Sequence, residues 1–219
     1  MDQTSPAANS IAAEGSIPME DGTPAVHGQS DALQSDEQLM LAFAAGRNDA
    51  FTIIFERYKQ PLFGFFRRRI ADPAQAEELT QETFIAILRS APRYQPIALF
   101  RTFLYAIALR ILRAHRRKAA FRATFLGEQP VGIEAVSDSD PMIEMIMRDA
   151  VGRLDRIDRE VLMLREFEKL SYTEIAEVLA LPLNTVRSRL FRARSALHEL
   201  LAAPAPSRPS SAPAAEVRA

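Results

Sequence analysis

Between Asp36 and Leu201 apolar residues recur at three- and four-residue spacing almost without interruption. No run alternates apolar with polar residues as a half-buried strand does. That periodicity commits the chain to an all-α fold. Glycine, the commonest helix breaker after proline, occurs only 8 times in 219 residues, so little interrupts the helices. No internal repeat is visible. The spacing predicts helices over 36–46, 48–70, 73–90 and 98–118, then four more within 141–201. Asp72-Pro73 marks one start, an N-cap followed by proline at the first helical position. Ala91-Pro92-Arg93-Tyr94-Gln95-Pro96 is a loop, because two prolines forbid a continuous helix there.

Two helical blocks emerge, 36–120 and 141–201, joined by a flexible linker over 121–140 that carries Gly127, Pro130 and Gly132 and ends in Ser137-Asp138-Ser139-Asp140-Pro141. Each is small enough for its core to be marginal, so partner binding helps to stabilise it. Residues 1–35 form a disordered acidic extension with five acids and no Lys or Arg. Residues 202–219, rich in Pro, Ala and Ser, form a disordered tail.

Composition narrows the function classes. There is no Cys, which removes disulfides, thiolate catalysis and cysteine-ligated metals. Three scattered His leave no His-rich metal site. No apolar run is long enough to cross a bilayer, and the N-terminus lacks a signal peptide's pattern. The expectation is a cytoplasmic protein without cofactor or metal. Net charge is only −1, but its distribution is uneven. Residues 97–122 hold seven basic side chains and no acid, and 183–198 hold four Arg and no acid. Two basic stripes in a neutral chain are a nucleic-acid footprint.

The sharpest motif runs from Leu170 to Leu190. Ser171 with Glu174 makes a capping box that fixes a helix start. Ile175, Val178 and Leu179 give that short helix one apolar face. A tight break follows at Ala180–Pro182, and a longer helix begins near Leu183. Val186, Leu190, Ala193, Leu197 and Leu201 line one face of it. Asn184, Thr185, Ser188 and Arg192 lie opposite, with Arg187 and Arg189 on the flanks. This is a helix-turn-helix, whose second helix enters the DNA major groove. An ordinary helical hairpin would not need capping box, turn and basic face together.

The helix over 98–118 buries Phe100, Phe103, Leu104, Ile107 and Ile111. Its other side carries Thr102, Arg110, Arg113, Arg116 and Arg117, with Tyr105 nearby, a mixture suited to unpaired bases and phosphates. The alternative, an amphipathic helix on an anionic membrane, would spend an apolar side that the core needs. The helix over 73–90 turns Leu79, Thr83, Ala86 and Ile87 inward and Glu77, Glu78, Gln81, Ile85 and Leu88 outward. That exposed mixture of acids with Ile and Leu fits a protein partner. Glu-x-x-His is missing, so the carboxylates do not form a di-iron site. His115 reads as a surface residue.

In four segments the chain resembles the extracytoplasmic-function class of the sigma-70 family, RNA polymerase sigma factors. Asp36-Glu37-Gln38-Leu39, Ala50-Phe51 and Phe55-Glu56-Arg57-Tyr58 resemble the opening helices. Ala76-Glu77-Glu78-Leu79-Thr80-Gln81-Glu82-Thr83-Phe84 resembles the segment that binds the clamp helices of the polymerase β′ subunit. Phe100-Arg101-Thr102-Phe103-Leu104-Tyr105-Ala106-Ile107-Ala108 resembles the melting helix that reads the −10 element, and Ser171 to Arg194 the helix-turn-helix that reads the −35 element. Phe103 stands where the family usually has Trp, Leu109-Arg110 where it has Arg-Asn, and Ile97-Ala98-Leu99 replaces a charged, Gly-containing loop.

The resemblance implies a sigma region 2 domain over 36–120 and a sigma region 4 domain over 141–201. It implies core polymerase as partner, through the β′ clamp helices and the β flap, together with promoter DNA and an anti-sigma factor. Polymerase contact falls to Glu77, Glu78, Gln81, Ile85 and Leu88. Contact with the −10 element falls to Arg101, Thr102, Tyr105, Arg110, Arg113, Arg116 and Arg117, and −35 contact to Asn184, Thr185, Arg187, Ser188, Arg189 and Arg192. The acidic extension is either a solvated tail or an internal lid on a basic stripe. A helix-turn-helix regulator acting without polymerase is the rival, but it leaves the outward face at 77–88 unexplained. An enzyme is not expected, for no phosphate loop, nucleophile elbow or His–carboxylate pair is present.

Overall fold

Local start signals place the helices. In the computed structural model, which describes residues 34–126 and 141–202, Ser35 and Gln38 form a reciprocal capping box that opens α1 (Asp36–Ala44). Ser35 thus belongs to the fold rather than to the extension. After α2 (Asn48–Arg67), Asp72 accepts from the Ala74 amide at 2.9 Å and Pro73 begins α3 (Pro73–Ser90). A single 3-10 turn follows at Ala91–Arg93. The Phe100 amide donates to Glu37 Oε1 at 2.6 Å, so α1 caps α4 (Phe100–Leu126).

The second block comprises α5 (Pro141–Arg153), α6 (Arg156–Glu166), α7 (Tyr172–Leu179) and α8 (Leu183–Ala202). Asp155 caps α6 through the Ile157 and Asp158 amides. The expected capping box of Ser171 and Glu174 opens α7. Two non-glycine residues with left-handed backbone bracket that helix, Lys169 at φ 55° and Ala180 at φ 54°.

Two expectations need adjustment. α4 runs eight residues past the predicted end at 118, so 121–126, read as linker, are helical. Ala119, Ala120 and Ala123 are strong helix formers, and no Gly or Pro intervenes before Gly127. The rest of that linker, residues 1–33 and residues 203–219 lie outside the described residues. The second adjustment concerns packing. The blocks do not keep separate cores. One buried apolar cluster runs from Leu39 in α1 through Leu104 and Leu112 in α4 to Ile175, Val186 and Ala193 in α7 and α8. Helix α4 sits in the middle, against α1 and α3 on one side and α7 on the other.

Hence α4 is buried on two faces. The predicted stripe is there, with Phe100, Leu104, Ile107 and Ile111 buried and Phe103 half-buried. A second stripe of Thr102, Tyr105, Leu109 and Leu112 is buried as well. Those four recur at heptad spacing, so they share one side of the helix.

Candidate nucleic-acid interface

Burial of Val186, Leu190 and Ala193 fixes how α8 lies on α6 and α7, and that rotation decides which side chains face outward. Asn184, Arg187, Ser188 and Arg192 are exposed, and Thr185 is half-buried. Arg187 Nη1 donates to Asn184 Oδ1 at 3.4 Å, and Ser188 Oγ to the Thr185 carbonyl at 3.0 Å. Arg192 stays 59% exposed, its nearest carboxylate being Asp158 at 3.6 Å. Arg189 differs. Its side chain is only 23% exposed and donates to Asp158 at 2.8 Å and Asp155 at 3.4 Å. It ties α8 to the start of α6 and acts as a strut. Phe191, 72% exposed one turn beyond Arg187, was missed by the sequence reading. Its spacing from Arg187 and Ser188 was the available signal, since it falls outside the stripe that the core uses.

The −10 candidates on α4 divide into two sets. Arg110, Arg113, Arg116 and Arg117 are exposed. Thr102 and Tyr105, assigned from the sequence to the nucleic-acid side, are instead buried, because α7 of the second block covers that face. Burial and the neighbouring Glu168 carboxylate push the Tyr105 hydroxyl well above its ordinary range. Arg101 holds Glu174 through both Nε and Nη2, a bidentate fork across the two blocks, and Thr102 Oγ1 lies 3.4 Å from the same carboxylate. Arg116 faces Glu160 beside Arg69, Arg156 and Arg159. Before α4, the loop presents Ile97 at 87% exposure and Leu99 at 52%, anchored by Tyr94 packing on Phe100 and Phe103. His115 is half-buried, and burial followed by the nearby Arg122 charge lowers its pKa.

On α3, Leu79, Thr83 and Ile87 are buried and Ala86 half-buried, leaving Glu77, Glu78, Gln81, Ile85 and Leu88 exposed as one face. Gln81 Nε2 donates to Glu77 Oε1 at 3.4 Å. Among the described residues, no group of acids or His is arranged to hold a metal ion, and no helix is long and apolar enough to cross a membrane.

Glu174 joins the two surfaces. Burial alone would raise its carboxyl, but the Arg101 guanidinium and the Ser171 hydroxyl and amide outweigh burial and hold it down to about 2, from 4.5. A depressed carboxyl contributes stability above its unfolded value and loses it as pH falls through the folded value. The difference in melting temperature between the parent and Glu174→Gln is therefore expected to be level above about pH 5 and to shrink between pH 4.5 and 2. Melts followed by circular dichroism across that range check it. A difference that keeps growing on acidification would remove Glu174 from the account.

Residues 54–122 match the family described as Sigma-70 region 2, and residues 144–197 the family Sigma-70, region 4. The chain is 32% identical over 182 residues to the RNA polymerase sigma-H factor of Pseudomonas aeruginosa, covering 77% of this chain and 94% of that one. It is 32% identical over 165 residues to the RNA polymerase sigma factor CarQ of Myxococcus xanthus, covering 74% and 95%. Among solved structures it is similar to CnrH in complex with the cytosolic domain of CnrY, with TM-score 0.61 and 26% identity over 77% of this chain and 97% of that one. The fold is shared with the sigma factor RpoE of Bartonella quintana at TM-score 0.59 and 21% identity, over 69% and 96%.

Proposed function

Because the chain belongs to the sigma-70 family, in its extracytoplasmic-function class, we propose that it directs core RNA polymerase to promoters in two steps carried by its two blocks. Residues 36–120 dock on the polymerase β′ clamp helices through the outward face of α3 and capture −10 bases with α4 and the loop before it. Residues 141–201 lay α8 in the −35 major groove, with Arg187 and Arg192 reaching guanine edges or phosphates and Asn184, Thr185 and Ser188 lying near bases. The β flap is the polymerase surface assigned to the second block. Arg189 serves this site indirectly, by holding α8 on α6. The chain supplies recognition in the cytoplasm and leaves bond formation to the polymerase. An anti-sigma protein is the proposed negative regulator; the similar protein CnrH was solved with a protein partner, the cytosolic domain of CnrY.

The observation that carries the polymerase step is the α3 face. Ile85 is 45% exposed and Leu88 37% exposed beside Glu77, Glu78 and Gln81, a surface that a DNA-binding regulator working alone has no use for. Glu78→Arg combined with Gln81→Ala changes exposed side chains only, so the fold should survive. It is expected to weaken binding to core polymerase by about tenfold or more, as loss of a central contact does. Undiminished affinity in a core-binding titration, with the parent's circular dichroism spectrum retained, would reject the α3 assignment.

A further inference from the structure

Three carboxylates of the second block are seated on three guanidinium groups of the first. Arg68 Nη2 donates to both oxygens of Glu168, at 3.1 and 2.9 Å. Arg69 donates to Glu160 at 2.7 and 3.0 Å and to Glu168 at 3.2 Å. Arg101 grips Glu174 through two nitrogens. The side chains of Arg69 and Glu168 are 1% and 2% exposed. Tyr105 lies among the arginines, with Arg68, Arg69 and Glu168 near its hydroxyl and Arg101 one turn away. Separating the blocks would expose Thr102, Tyr105, Leu109 and Leu112 on α4 and free Arg68, Arg69 and Arg101 beside them. Cations that follow a backbone, together with a ring for bases to stack on, suit single-stranded DNA. A guanidinium fork takes a phosphate in the same bidentate way that it takes a carboxylate.

We propose that Arg68, Arg69 and Arg101 form a phosphate-binding stripe for single-stranded DNA, and that Glu160, Glu168 and Glu174 occupy it as phosphate mimics, making the second block the resident inhibitor of the first. The proposal deepens the −10 assignment of α4 and rests on it. Arg68 and Arg69, which follow α2, become part of the strand-binding surface. The ion pairs suit a switch because buried pairs lose in desolvation most of what they gain in attraction. The apolar cluster shared by α4 and α7 supplies the rest of the closed state, and competing phosphates act on the ionic part. Closed, the chain buries Thr102 and Tyr105 and cannot offer them to bases. Open, it offers the whole stripe.

The full chain has no cysteine, so Ala45→Cys and Glu199→Cys place a dye pair for energy transfer on exposed sites of the two blocks. The open variant is Glu160→Gln, Glu168→Gln and Glu174→Gln; Gln at position 174 keeps the capping box of α7. A charge-matched control carries Glu56→Gln, Asp149→Asn and Glu177→Gln, all exposed. The probe is fluorescent dT12, titrated at several salt concentrations. The open variant is expected to lose energy transfer and to bind dT12 about tenfold more tightly than the control. Its slope of log affinity against log salt should be steeper by about 2, as three added phosphate contacts on a single strand require. Adding Arg68→Gln and Arg101→Gln should remove about two-thirds of that gain, leaving the share of Arg69.

Lost energy transfer with dT12 affinity equal to the control's would overturn the phosphate stripe. Unchanged energy transfer would overturn the inhibitory contact. If the open variant fails to fold, the parent decides the matter: saturating dT12 should lower its energy transfer, and no change refutes competition. Failure of the polymerase assignment would appear in the core-binding titration and leave these readouts untouched.

Discussion

Alanine at both Arg187 and Arg192 is expected to leave the chain folded and to abolish most −35 binding. Both side chains project from the exposed face of α8, and neither supports the core. A base-reading arginine is worth about 1–3 kcal/mol, so the pair should cost about 2–6 kcal/mol, a loss of at least thirtyfold. Footprinting or anisotropy on a −35 duplex measures it. The contrast is Arg189→Ala, which strips Asp158 of its 2.8 Å partner and should act first on melting temperature. If Arg189→Ala reproduced the DNA-binding defect with no change in stability, its role as a strut would be wrong. If the Arg187/Arg192 variant protected the −35 element like the parent, α8 would not be the reading helix.

Phe100→Ala should be among the most damaging single changes in the first block. The ring is fully buried, with centroids of Tyr58, Tyr94 and Phe103 at 5.5, 6.2 and 6.3 Å. Removing a buried Phe costs about 3–5 kcal/mol, a large part of the 5–15 kcal/mol that holds a typical domain. The loss should reach function as well, because Tyr94 anchors the loop carrying Ile97 and Leu99 on this ring. Urea unfolding measures the first effect. A cost under about 1 kcal/mol would show that the aromatic cluster is not part of the cooperative core.

How much of this was legible depended on the range of the interaction. Capping residues work within four positions, so Ser171 with Glu174, and Asp72 before Pro73, marked helix starts unaided. The inward and outward faces of α3 and α8 followed from the 3.6-residue period. Helix α4 was legible by halves. Its first stripe is purely apolar and unmistakable, whereas the second opens with Thr102 and Tyr105, whose hydroxyls suggested a wet or DNA-facing side. Heptad spacing through Leu109 and Leu112 was the clue that this side is buried too. The ionic contacts between blocks were not legible at all. Arg68 and Glu168 are 100 positions apart, and no local pattern distinguishes an arginine that meets a distant carboxylate from one that meets solvent. Arg189 posed the same problem over a shorter span, since only the packing of α8 on α6 brings Asp158 beneath it.

Glu174 answers two demands with one side chain: it completes the cap of α7 and it holds Arg101 across the blocks. Glutamine can satisfy the cap but brings no charge, and aspartate keeps the charge on a stem one methylene shorter. Position 174 therefore leaves mutation little neutral ground. A lineage that altered how α7 begins would alter, in the same step, how readily the two halves part. Drift in recognition and drift in restraint are thereby bound to a single codon, and a change in one would have to be compensated at Arg101 or Ser171 before the other could vary freely.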